Sequence, residues 1–391
     1  TIAGTNGKGS TVAYLAAMSG ALGQRFGTYT SPHIFRFNER ICVMGEPVAD
    51  ETLVRAFEQV EAERRGISLT YFEFTTLAAL LILQQSALDC AVLEVGLGGR
   101  LDTVNLVDTD CAVITPIGLD HQDYLGPDLL SIAAEKAGII RQGIPVVCTQ
   151  SLPPAPVMET AINLQAPVLR RGFDFDLASC PGRDDGLLQF SMSGQSIPVP
   201  IPPLAGQHQL DNLAAALAGL FSLNPGCFEK AGTLGAAIRN CKVQGRLQKV
   251  LSSPDIFLDV GHNALAAEVV ADFLEENGID HITCVLAMMA DKPAEAVADA
   301  LGAACQRWLC ADTPGNRGQQ GEVLARRIRA ALPAADVSDF GPLDEALHAA
   351  ISLTDKDGTI LVFGSFVTVS GAANWLQTCM QRDGHDTARI N

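Results

Sequence analysis

Positive charge is scarce in this sequence. Lysine and arginine number 27 against 44 aspartates and glutamates, a formal net charge of −17. So acidic a chain does not wrap nucleic acid or coat an anionic membrane, since both demand basic surface. Any anionic ligand must therefore meet a local cluster of cations set against the overall field. Long apolar runs are missing as well: Leu77 to Leu83 falls far short of the roughly 18 residues of a membrane span. No C-x-x-C pair occurs among the eleven cysteines. Cys90, Cys111, Cys148, Cys284 and Cys310 sit among apolar neighbours, where a free thiol behaves as a small hydrophobe. This usage argues against structural zinc and disulfides and predicts a reducing, cytoplasmic setting.

At 391 residues and 48% hydrophobic, the chain exceeds a single ordinary core and predicts two domains. Its most informative stretch is Gly4-Thr-Asn-Gly-Lys-Gly-Ser-Thr11. Three glycines free the backbone to bring N–H groups close to a ligand, and Lys8 supplies charge. A loop of this kind opening a helix cradles phosphates, with a hydroxyl for Mg²⁺. The spacing departs from G-x-x-x-x-G-K-[ST], so a plain Gly-rich turn capping a helix is the rival reading. Only Thr1, Ile2 and Ala3 precede the loop, and the expectation is a first domain truncated at its N-terminus.

Val12 to Leu22 predicts a helix. Pro32 prevents another from running through Thr28 to Ile41, a stretch of mixed aromatics and charges that reads as a surface or functional loop. Asp50 to Arg65 and Phe72 to Gln85 predict helices. Cys90 to Leu93 reads as a buried parallel strand, and Glu94 continues the apolar run. A carboxylate there is costly unless paired or on a metal, which leaves a salt bridge or a cation site. Strands are expected at Cys111–Thr115 and Ile144–Thr149, and helices at Ile132–Ile140 and Pro153–Gln165. Taken alone, the Glu135-Lys136 pair reads as surface charge. Residues 167–204 predict a small antiparallel insertion, and Leu204 to Leu217 a helix. From Ile256 onward strands at 256–260, 282–287, 307–311 and 359–363 alternate with helices near 264–277, 293–304, 320–332, 343–354 and 366–381. That alternation predicts a smaller doubly wound α/β domain.

Six motifs in order resemble the folylpolyglutamate synthase and dihydrofolate synthase family of the Mur ligase superfamily. They are the glycine loop, Ser31-Pro-His-Ile with Asn38-Glu-Arg-Ile, and Glu94-Val-Gly-Leu-Gly-Gly-Arg-Leu-Asp102. Gly118-Leu-Asp-His121, Glu135-Lys-Ala-Gly-Ile139 and Asp259-Val-Gly-His-Asn263 complete the set. Shorter phrases at Gly206-Gln-His-Gln-Leu-Asp-Asn212, Gln244-Gly-Arg246 and Met289-Ala-Asp-Lys292 agree, the last without assigned chemistry. Gln244 and Ala264 replace the prolines usual at those turns.

The resemblance implies an α/β fold: a P-loop-type central domain over 1–245 with the antiparallel insertion, then a Rossmann-like glutamate ligase domain over 246–391. It implies an ATP-dependent carboxylate–amine ligase that adds L-glutamate to dihydropteroate and to tetrahydrofolate through an acyl phosphate. The rivals are a Mur-type ligase for another carboxylate and a nucleotide-binding protein without catalysis. By the same resemblance Gly4, Thr5, Asn6, Gly7, Lys8, Gly9, Ser10 and Thr11 bind ATP, with Asn212, Arg246 and Asp259. Ser31, Glu94 and His121 are implied Mg²⁺ ligands, and Lys136, carbamylated by CO₂, serves a second Mg²⁺. Lys8, His121, Lys136, Asp259 and His262 are the implied catalytic set. Phe35, Arg36, Arg40 and His262 are the implied substrate contacts. The partners are small molecules alone, and a monomer is expected.

Overall fold

The computed structural model describes residues 1–179 and 186–382. Two compact units divide the chain. The first holds Thr1–Pro203 and His208–Lys242; the second holds Leu204–Gln207 and the chain from Val243 onward.

The first unit is built on a sheet that begins with β1 (Ile2–Ala3), after which α1 runs over Lys8–Ala21. The helix starts earlier than its apolar pattern suggests, because Gly7 caps it in the left-handed region at φ 89°. β2 (Phe26–Tyr29), β3 (Ile41–Val43) and β4 (Glu46–Pro47) follow, then α2 (Asp50–Glu63), α3 (Tyr71–Gln85) and β5 (Cys90–Leu93). Next come β6 (Ala112–Ile114), α4 (Gln122–Leu125), α5 (Leu129–Ala137), β7 (Val146–Cys148), α6 (Ala155–Asn163) and β8 (Val168–Arg170). The strands pair as β4-β3-β2-β5 and β1-β6-β7-β8, and a parallel bridge between Ile2 and Glu94 joins the two sets.

Successive strand residues point to opposite faces. Ala112 and Ile114 therefore join one core with Ile82, Leu93, Ile132, Ile139 and Val157, under α2, α3, α5 and α6. Val113 between them faces Gly219 on the following helix α7 (His208–Leu223). Both faces are thus covered, as a parallel sheet requires.

Within 167–204, Val168–Arg170 extends the parallel sheet instead of joining the insertion. The antiparallel sheet itself is β9 (Phe175–Ser179), β10 (Leu187–Met192) and β11 (Gln195–Pro200). It packs on α7 and α8 (Ala231–Arg239), and Phe190 stacks with Phe221 of α7 and with Phe228 of the turn after it, the last two 3.8 Å apart.

The second unit has the strand order β12-β13-β17-β14-β15-β16. These are Gln248–Leu251, Asp255–Asp259, Thr359–Phe363, Ile282–Leu286, Cys305–Cys310 and Asp336–Asp339 respectively, and β12 alone runs antiparallel to its neighbour. Helices α9 (Ala264–Glu276), α10 (Ala294–Leu301) and α11 (Gly321–Ala331) cover Cys284, Leu286, Trp308 and Leu361. On the remaining face α12 (Leu343–Leu353) packs on β14 and α13 (Phe366–Arg382) on β17. β17, with every residue buried, lies in the middle. Burying one Leu, Ile or Phe side chain of that kind contributes about 1.5–3 kcal/mol. Among the described residues no disulfide forms, and no helix is long and apolar enough to cross a membrane.

Candidate active site

The glycine loop leaves β1 and is stitched to the segment after β6. Thr5 N donates to Pro116 O at 2.9 Å, and the Thr5 hydroxyl donates to Gly118 O and accepts from Gly118 N, both at 3.0 Å. A Cβ on Gly4 would strike the Thr115 hydroxyl, and one on Gly7 the Asn212 amide. The backbone is therefore held against α7 and β6 with no room for a side chain. Asn212 is buried and fixed by Gln209, whose Oε1 accepts from Asn212 Nδ2 at 3.1 Å. Thr11 is also buried, its hydroxyl donating back to Gly7 O at 3.0 Å. Ser10 Oγ is buried with no hydrogen-bond partner, an orphaned polar atom in the first turn of the helix. Asn6 and Gly9 complete the loop, each half-buried.

Two lysines converge on one carbonyl. Lys8 Nζ donates to Gly4 O at 3.0 Å and to Thr5 O at 3.1 Å, and Lys136 Nζ donates to the same Gly4 O at 3.0 Å. Lys136 is only 4% exposed, which overturns the surface-charge reading of the Glu-Lys pair. Burial, then the neighbouring charge of Lys8, lowers its pKa to about 7, against a smaller opposing effect of Asp120. The partner of Glu135 is not Lys136 but Arg100, whose Nη2 lies 2.7 Å from its carboxylate. Arg100 N donates to Glu135 O at 2.8 Å as well, fastening the Gly-rich turn after β5 to α5.

Ser31 and Glu94 follow the ends of β2 and β5, which pair in parallel through Tyr29 and Leu93. That adjacency brings Ser31 N to within 3.3 Å of Glu94 Oε2. Glu94 is 6% exposed. His121 caps α4 in the left-handed region at φ 53°, beside Asp120, with Nε2 3.9 Å from Asp120 Oδ2. Asp102, quoted in its motif without a role, is a structural centre of the turn. Its oxygens accept from Leu97 N and Val104 N at 2.9 and 2.8 Å, and burial raises its pKa. Its signal in the sequence was an Asp placed to cap a turn after glycines.

The loop after Ser31 is organised by Glu39, whose carboxylate accepts from the N–H groups of Ile34, Phe35 and Arg36. Arg36 is exposed and reaches Asp50 at 3.2 Å. Arg40 is 7% exposed, and its Nε donates to His33 Nδ1 at 2.9 Å. In the second unit, Asp259 ends β13 and accepts from Leu247 N at 2.8 Å and Gly261 N at 2.7 Å. Burial raises its pKa, opposed first by the charge of Arg246. Arg246 lies over the Phe366 ring, and the Nδ1 of His262 is 3.0 Å from Val260 O.

The glycine cradle, the orphaned Ser10 hydroxyl and the paired lysines suit a polyphosphate. The buried carboxylate of Glu94 beside Ser31 suits a hard divalent cation; a His ligand would be unusual for Mg²⁺. A phosphate loop on a parallel sheet in one unit, with a doubly wound sheet in the other, defines the class: a Mur-type ligase. The Mur ligase middle domain matches residues 2–220, and the Mur ligase glutamate ligase domain matches residues 245–366. The dihydrofolate synthase/folylpolyglutamate synthase of Escherichia coli K12 is 36% identical over 373 residues, 95% of this chain and 84% of that protein. E. coli FolC in complex with DHPP and ADP has a TM-score of 0.89 at 34% identity, covering 97% of this chain and 88% of that one. The bifunctional enzyme of Yersinia pestis, complexed with AMPPNP and a Mn ion, has a TM-score of 0.86 at 34% identity, over 96% and 88%. The chain belongs to the dihydrofolate synthase/folylpolyglutamate synthase family of Mur ligases.

Proposed function

We propose that the protein is an ATP-dependent ligase that joins the amine of L-glutamate to a folate carboxylate, using both dihydropteroate and tetrahydrofolate as acceptors. The observation that carries this reading is the convergence of Lys8 and Lys136 on Gly4 O, inside a glycine loop built for phosphate. MgATP, when bound, supplies the phosphoryl group that turns the inert carboxylate into an acyl phosphate open to attack by the amine.

The chain's own residues bind and orient. Lys8 and the N–H groups of the loop from Gly4 to Thr11 hold the phosphates, and Asn212 steadies the nucleotide from α7. Ser31, Glu94 and His121 would hold the first Mg²⁺. Lys136 is half neutral near pH 7, so its amine can attack CO₂; a C–N bond forms, a proton leaves to solvent, and the resulting carbamate is an anion suited to a second Mg²⁺. Arg246, Asp259 and His262 in the second unit serve the nucleotide and the incoming glutamate. Phe35, Arg36 and Arg40 belong to the acceptor loop. No protein nucleophile is required, because positioning and charge stabilisation carry phosphoryl transfer. The protein acts as a monomer in a reducing cytoplasm.

The deciding experiment follows ADP release with ATP, Mg²⁺ and L-glutamate, comparing dihydropteroate, tetrahydrofolate and no acceptor. Release with both acceptors establishes the two activities. Release with neither, in protein that binds ATP, sinks the folate reading.

A further inference from the structure

Arg40 is a cation buried without a counter-charge. Its residue is 7% exposed, and its one side-chain hydrogen bond runs from Nε to the neutral acceptor His33 Nδ1. The guanidinium carbon lies 5.3 Å from the centre of the Phe37 ring and 5.6 Å from that of Tyr71. Among the described residues neither Nη nitrogen has a hydrogen-bond or ion-pair partner. The carboxylate of Glu39, its neighbour in sequence, is taken up by three backbone N–H groups of the same loop. Asp50, another acid close to the loop, is held by Arg36 and Asn38. Burying a guanidinium is costly unless an anion completes it. The planar fork is shaped to take a carboxylate through two parallel hydrogen bonds.

Its position says which carboxylate. Thr30 N donates to Arg40 O at 2.8 Å, so the arginine's backbone lies alongside the residue before Ser31. Its side chain reaches back to His33, two residues beyond Ser31. Arg40 and its partner His33 therefore belong to the same loop as Ser31, whose N–H meets Glu94. Dihydropteroate carries a single carboxylate, the reacting one, which must lie with the phosphate and the cation. An acceptor that already ends in glutamate carries a second, which stays behind unreacted a few bonds away.

We infer that Arg40 is a specificity residue that binds the unreacted carboxylate of the terminal glutamate of a folate acceptor. It favours chain extension over the first glutamate addition. The inference rests on the folate ligase reading and divides its two activities.

The test compares acceptors in the wild-type protein and in Arg40→Met and Arg40→Lys. Loss of a charge-assisted carboxylate contact costs roughly 10- to 100-fold in binding. The ratio of kcat/KM for tetrahydrofolate monoglutamate to that for dihydropteroate should fall by about that factor in Arg40→Met, with partial recovery in Arg40→Lys. Wild-type protein should show a similar loss toward a monoglutamate whose unreacted carboxylate is a carboxamide, an arm that needs no variant to fold. An unchanged ratio, or a carboxamide used as well as the acid, overturns the inference. A raised KM for free L-glutamate with both acceptors alike overturns it too, by placing Arg40 on the incoming amino acid. Wild-type protein inactive with both acceptors removes the ligase reading itself, a result visible without any variant.

Discussion

The amine of Lys136, which reaches the phosphate loop from α5, is heavily perturbed. Its pKa falls from 10.5 to about 7, first through burial and then through Lys8. Between those values the unfolded chain binds the proton that the folded chain has released, so stability rises as pH climbs through that window. Lys136→Met should flatten the rise, which urea unfolding between pH 7 and 10 would reveal; an unchanged slope would mean that the amine is not so perturbed. Lys8→Met should act in the opposite direction on the same group. With one charge gone, the Lys136 pKa moves up, and at neutral pH less amine is free to take up ¹³CO₂, as carbamate signals in ¹³C NMR would record. The motifs made Lys136 legible, but its burial was not, because the partner it needed was a main-chain oxygen 132 residues earlier in the chain. Arg40 was hidden for the same reason: a charged residue in a polar loop gives no sign in sequence that two rings will enclose it.

Among elements, the Gly-rich turn after β5 and the helix α5 behave as one piece. Arg100 fastens them through side chain and backbone, and Gly99 lies so close to α5 that an added Cβ would sit 2.8 Å from Glu135 O and 3.1 Å from Lys136 O. Gly99→Ala should therefore push the helix off the turn. A loss of about 1–3 kcal/mol of stability is expected, in line with overpacking, measured by denaturant midpoint. Recovery of wild-type stability would show that α5 shifts freely. At the start of α3, Thr70 and Glu73 form a reciprocal cap, and Thr70→Ala should cost about 1 kcal/mol. Most elements were readable from apolar periodicity. β16 was not, since Asp-Val-Ser-Asp at a sheet edge is polar and short. β2, buried but only Phe-Gly-Thr-Tyr, is too brief to show alternation.

The molecule as a whole carries its tryptophans unevenly. Both of them, Trp308 and Trp375, lie in the second unit, Trp308 fully buried and Trp375 edge-on to His348 at 4.7 Å. Tryptophan emission therefore follows the unfolding of the second unit, whereas far-UV circular dichroism follows both. MgADP at a hundred times its Kd should stabilise the unit that carries the glycine loop by about 2.7 kcal/mol. The dichroism transition should move upward by the corresponding few degrees; no movement in protein that binds nucleotide would remove the loop from the binding site. The atom on which both lysines meet, Gly4 O, belongs to the main chain, so a side-chain scan of the site passes over the oxygen that fixes its charge. Chemical synthesis with an ester in place of the Gly4–Thr5 amide would weaken that oxygen as an acceptor and remove the Thr5 N–H that donates to Pro116 O, while leaving every side chain as it stands.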